Sequence, residues 1–171
     1  MTRIAKIGVT MIAAALMYGC QTAQQQSRNQ SANLDLIGSW RASVQFETGP
    51  YSEIKDLNFM YIFNSDGTML ESSNYDAAPP VPPAYGIWRS LGEHQFEAKY
   101  EFYVTRVPDT SEHLPAGTGW LPGGFGRLVD TISIESDGHS FSSRTHLTMY
   151  NTGDSVTGDD IAVGHGTKMR F

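Results

Sequence analysis

Cysteine is almost absent: the 171-residue chain has one, Cys20. No disulfide can form within it, so a packed core must hold any folded part together. Basic residues are scarce as well. Twelve Lys and Arg face eighteen Asp and Glu, and two of the twelve, Arg3 and Lys6, lie at the very start. Ten against eighteen, or −8, are left from residue 20 onward. An acidic surface repels phosphate backbones, which argues against nucleic acid as a partner. No apolar run is long enough to cross a bilayer comfortably, and no stretch repeats apolar residues at helical spacing with caps. There is no Gly-x-Ser-x-Gly, so the common serine-hydrolase elbow is missing. No two histidines have zinc-site spacing, and no thiol lies beyond Cys20, so no metal is expected. Gly123-Gly124-Phe125-Gly126 precedes a strand pattern rather than a helix, which excludes a phosphate loop. Nothing in the sequence calls for a cofactor.

The start of the chain is informative. Basic Arg3 and Lys6 are followed by an apolar run from Ile7 to Met17, then Gly19 and Cys20. This is the layout of a secretory signal. It is similar to the signal of bacterial lipoproteins, which ends in Leu, a small residue, Gly or Ala, and the cysteine that receives lipid. Leu16, Gly19 and Cys20 carry the resemblance, while Met17 and Tyr18 depart from it. The resemblance implies removal of residues 1–19 and lipid on Cys20, so that the partner is a membrane. Several acyl chains on one cysteine anchor stably, at about 0.8 kcal/mol per buried CH2. Gln21 is not the Asp that commonly holds lipoproteins in the inner membrane. In a Gram-negative cell this implies the outer membrane.

Residues 20–33 form the expected tether. Gln21–Asn33 carries one charge and no aromatic residue, so it has almost nothing to bury. From Leu34 to Phe171 the pattern is all-β. Phe96, Ala98, Tyr100, Phe102 and Val104 alternate with Gln95, Glu97, Lys99 and Glu101, and Trp40, Ala42, Val44 and Phe46 alternate with polar neighbours. Leu57, Phe59, Tyr61 and Phe63 share a face, as do Phe141, Leu147 and Met149. Ile161, Val163 and Met169 share one in the final segment. Asn64-Ser65-Asp66-Gly67 and Ser136-Asp137-Gly138 read as hairpin turns, because Gly accepts the positive φ they need. About eight strands result, near residues 38–47, 57–64, 67–74, 84–90, 94–105, 126–135, 139–150 and 160–170. Sequential one-faced strands suit a closed, up-and-down antiparallel barrel, which has no exposed edge. Ala77–Pro83 reads as a polyproline connector. Pro108–Gly126 reads as a long loop carrying Trp120 and Phe125, of the kind that often covers a site.

Gly38-Ser39-Trp40 opens the first strand and Arg170 lies at the end of the last. With Phe63–Gly67 and Gly86-Ile87-Trp88 between them, these residues resemble the calycin superfamily and its lipocalin-like members. The resemblance implies an eight-stranded barrel in which Trp40 plugs one end and the Arg170 side chain packs across its ring. No Thr-Asp-Tyr motif and no C-terminal helix accompany it.

The fold-level analogy implies binding of a small hydrophobic or amphipathic ligand in the barrel cavity or under the long loop. The candidate lining residues are Phe59, Tyr61, Phe96, Tyr100, Phe102 and Trp120, with the polar Asp130 and His165. Asp130 has the parity of Leu128, Ile132 and Ile134, and His165 that of Val163 and Met169, so both are expected inside. Two other readings stand beside it. An envelope enzyme of the isomerase or cyclase type would use Asp130 and His165 as acid and base. A scaffold would present the acidic surface to a protein partner. The lipid anchor is testable directly: Cys20→Ser is expected to abolish palmitate labelling and to move the chain from the membrane to the soluble fraction.

Overall fold

A computed structural model describes residues 36–75, 81–109 and 119–171. The signal segment, Cys20 and the tether lie outside the described residues. So do residues 76–80 of the proline-rich connector and 110–118 of the long loop.

Eight antiparallel strands form one closed barrel in chain order. They are β1 (Gly38–Phe46), β2 (Asn58–Phe63), β3 (Thr68–Ser73), β4 (Ala84–Gly92), β5 (Gln95–Arg106), β6 (Leu121–Ile134), β7 (Ser140–Tyr150) and β8 (Val156–Lys168). A single 3-10 turn, Pro50–Glu53, sits in the β1–β2 connection. Each strand pairs with the next, and β8 closes on β1 from Trp40↔Lys168 to Phe46↔Ala162. This is the expected up-and-down architecture, compatible with a lipocalin-like fold. Two details differ from the sequence pattern. Leu121–Gly126 belongs to β6 rather than to a loop, pairing from Arg106↔Leu121 onward. β8 starts at Val156 and ends before Met169 and Arg170.

Alternation becomes burial. Phe59, Tyr61 and Phe63 point into the barrel while Met60 and Ile62 point out. Turn chemistry fixes where hairpins reverse. Asp66 Oδ1 accepts from the Thr68 backbone N–H at 2.9 Å and its hydroxyl at 2.6 Å, and Gly67 takes φ 86°. Asp137 does the same for the β6–β7 hairpin. It accepts from the Ser140 hydroxyl at 2.7 Å, His139 N–H at 2.7 Å and Ser140 N–H at 2.9 Å, which together hold its carboxyl down at about 2.

The barrel has a plugged end and an open end. At the plugged end, where Gly38 pairs with Phe63, Trp40 is fully buried and its indole N–H donates to the Leu36 carbonyl at 2.8 Å. Trp40 packs on Phe141 at 5.2 Å between centroids, Phe63 on Trp88 at 6.0 Å, and Trp88 on Phe96 at 5.8 Å. The cation over the Trp40 ring is Lys168, its Nζ 5.2 Å from the centroid. The register explains why Lys168 takes the place the resemblance gives to Arg170: Lys168 stands opposite Trp40, whereas Arg170 is exposed beyond the end of β8.

Along β8 the inward positions are Asp160, Ala162, Gly164 and Gly166, all buried. A Cβ built on Gly166 falls into the Phe141 ring, and one on Gly164 meets the Ser143 hydroxyl. Gly166→Ala is therefore expected to overpack the core and cost about 1–3 kcal/mol. This is read as a lower urea midpoint with an unchanged slope.

Candidate functional site

Above the plug, the middle of the barrel holds a polar knot. Tyr61 on β2 and Tyr100 on β5 face each other, their hydroxyls 3.3 Å apart. Both reach Asp130 on β6: the Tyr100 hydroxyl donates to Oδ2 at 3.0 Å and that of Tyr61 at a longer 3.4 Å. All three side chains are fully buried, at 2% exposure or less. Thr145 is the cross-strand neighbour of Asp130 on β7. Its hydroxyl lies close enough to favour the carboxylate, yet outside good hydrogen-bonding geometry. Asp130 Oδ1 and Thr145 Oγ1 thus stay buried without partners. Burial pushes the Asp130 carboxyl up to about 6, and the hydroxyls of Thr145, Tyr100 and Tyr61 restrain the rise. The two tyrosines are pushed well above their usual range, first by burial and then by the Asp130 charge.

Glu71 on β3 is the second buried acid. It stands opposite Tyr61 in the β2–β3 register and is 7% exposed, and its Oε1 has no hydrogen-bond partner. Burial and then the Asp130 charge raise its carboxyl to about 8, so it is mostly protonated at neutral pH.

Glu71 also forms part of the open end. A pocket of about 50 Å³ lies there, walled by Phe46, Leu57, Phe59, Leu128 and Leu147, with Phe102, Val81 and Ser73 nearer its rim. Tyr51, carried by the 3-10 turn, and Tyr75 flank it. Their rings meet edge-on at 5.7 Å, and Tyr51 packs on Phe46 at 5.3 Å. Sites that enclose a whole drug-sized ligand occupy about 300–1,000 Å³, so this one takes a headgroup or a short chain.

The sequence candidates thus separate into groups. Phe59 and Phe102 line the pocket. Tyr61, Tyr100 and Asp130 form the knot beneath it. Phe96 belongs to the plug. Trp120 is 45% exposed just before β6. His165 is exposed on the outer face of β8, paired with Ser43 and Ser142, so it does not meet Asp130. The expectation that these two share the interior is corrected by the β8 register. The inward positions Gly164 and Gly166 lie under Ser143 and Phe141 and have room only for small residues, and Ile161, Val163 and His165 take the outer parity. Glu71 escaped the sequence reading, although its parity with buried Met69 opposite the Phe59–Phe63 face was a readable signal.

Two larger concavities lie outside the barrel wall. One, of about 800 Å³, runs over Val129, Thr131, Ser142, Arg144 and His146 and is broadly open to solvent. The other, of about 480 Å³, lies beside Tyr85, Tyr103 and Phe125. Of the residues lining them only Thr145, at the first, carries a buried unpaired polar atom, the Oγ1 that lies beside Asp130. Among the described residues, no group of three or more His, Cys, Asp or Glu is placed to hold a metal. No helix among them is long and apolar enough to cross a membrane. No family model, curated protein or solved structure matches the chain.

The raised acids tie stability to pH. A carboxyl with a higher pKa folded than unfolded binds its proton more tightly in the native state. Its contribution is full below the unfolded pKa and is lost as pH rises through the folded one. For Glu71 that window runs from 4.5 to about 8, and for Asp130 from 3.8 to about 6. Stability should therefore fall between pH 5 and pH 9. Glu71→Gln should remove the upper part of that fall, the two proteins separating by a few kcal/mol at pH 9. Urea denaturation of both across the range measures it.

Proposed function

We propose that the protein is an exported, lipid-anchored envelope protein that binds a small amphipathic molecule at the open end of its barrel. The apolar part enters among Phe46, Leu57, Phe59, Leu128 and Leu147, and the polar end meets Glu71. One observation carries the binding: an apolar pocket whose wall holds a buried carboxyl oxygen with no partner. An unmet buried polar atom is unfavourable by about 1–3 kcal/mol, which a ligand supplying the missing hydrogen bond recovers. The secretory pattern ending at Cys20 supports the anchor and the envelope address, and the outer membrane in a Gram-negative cell.

The pocket volume narrows the ligand. A retinoid-sized molecule does not fit inside; a short chain or a headgroup does. The acid–base reading of Asp130 with His165 has no geometric support, since the two side chains lie on opposite faces of the barrel wall. The test is native mass spectrometry of the gently purified full chain beside Ser73→Trp, which fills the pocket from its rim. The expected result is an added mass on the wild type that denaturation removes and the variant lacks. A bare polypeptide mass for both, or the same added mass on both, overturns the reading.

A further inference from the structure

The barrel interior is charged with one sign only. Among the described residues the buried charged or polar side chains besides the tyrosines are Glu71, Asp130, Thr145 and Asp160: three acids and a threonine hydroxyl, with no Lys, Arg or His. Buried carboxylates are ordinarily matched by a cation or by several donors. Asp130 has its tyrosines, but Glu71 Oε1 has nothing. The walls beside it are aromatic. Phe46, Tyr51, Phe59, Tyr75 and Phe102 contribute rings to the same pocket, and ring faces attract cations. A negative ligand would lie near the Asp130 charge with no buried cation to offset it. A bare metal ion would find one carboxylate and little other oxygen.

We propose that the pocket takes the primary ammonium group of a small apolar amine, with Glu71 as its carboxylate partner. This rests on the open-end pocket being a binding site, and it assigns the class of ligand. Alkylamines are protonated in neutral water, as lysine is. The ammonium enters already charged, and the Glu71 carboxyl gives its proton to solvent as the N–H···O contact forms. One proton is released per ligand bound at a pH below the carboxyl's own pKa. Other titratable groups face Glu71: Tyr61 from β2, Tyr100 from β5, Asp130 from β6, and at the mouth Tyr51 and Tyr75. Of Asp130, Tyr61, Tyr100 and Tyr51, only Asp130 changes charge between pH 6 and 8. Its ionisation adds a second negative charge, which favours the same ligand.

The experiment is isothermal titration of the full chain with n-hexylammonium chloride and, separately, 1-hexanol, at pH 6, 7 and 8 in two buffers of different ionisation enthalpy. Hexylammonium is expected to bind about ninefold more tightly at pH 7 than at pH 6, and about fivefold more tightly again at pH 8. It should release close to one proton at pH 6 and 7. Glu71→Gln should reduce its affinity to that of hexanol and abolish the proton release. The wild-type pH series and proton count need no variant, so they decide the matter even if Glu71→Gln folds poorly. Hexanol binding as tightly as hexylammonium, with no proton release, overturns the ammonium assignment and leaves the pocket reading standing. Binding of neither probe overturns the pocket reading, and this inference with it.

Discussion

Closure of β8 onto β1 is the constraint from which the remaining architecture follows. Seven residue pairs, Trp40↔Lys168 through Phe46↔Ala162, turn an open meander into a barrel with no free edge. Once closed, the wall must reconcile large side chains on β1, β2, β5 and β7 with a fixed interior. It does so by leaving β8 nearly bare inside: Ala162, Gly164 and Gly166 sit where Phe141 and Ser143 project across. The aromatic load is unequally spread because the space is shared, and a close-packed interior leaves no slack for a second large residue at the same level.

The packing of the plug decides the position of the polar groups. Trp40, Phe63, Trp88, Phe96 and Phe141 occupy one end completely, so acids can be accommodated only at the middle and the far end. Asp130 survives burial because two tyrosine hydroxyls converge on one of its oxygens. Glu71 lies one level nearer the mouth without such help, and it keeps a proton instead. Two carboxyls on neighbouring levels thus hold different protonation states at neutral pH, each set by its surroundings and not by its residue type.

The fold was largely legible in the sequence, for a physical reason. Strands with one buried face write their period of two into the chain, and β1, β2, β5 and β7 show it with large apolar residues. The Asp-Gly turns mark their own reversals through side-chain caps that are local in sequence. β8 was misread at the level of faces. Its inward residues are small or acidic and its outward ones are β-branched, so apolar size pointed the wrong way. Whether a glycine is inside depends on what projects from the neighbouring strand, which no local window contains. Leu121–Gly126 was hidden for a similar cause, since its Pro and Gly content reads as loop while its pairing comes from β5. The site was half legible. Phe59, Phe102 and the knot of Tyr61, Tyr100 and Asp130 were named from parity. Glu71 and Tyr51 depend on cross-strand register and on how the β1–β2 connection folds over the mouth. The packing of Lys168 on Trp40 was seen as a motif but placed two residues late, because the final pairing of β8 lies in three dimensions.

A barrel closed by its first and last strands has an orientation built into its covalent connectivity. β1 begins at Gly38 beside the plug, and β8 finishes at Lys168 in the same place, so both chain ends leave from the sealed pole. The segment before Leu36 therefore joins the barrel at the sealed pole, with the aperture at the opposite one. Whatever enters the pocket does so at the pole opposite both chain ends.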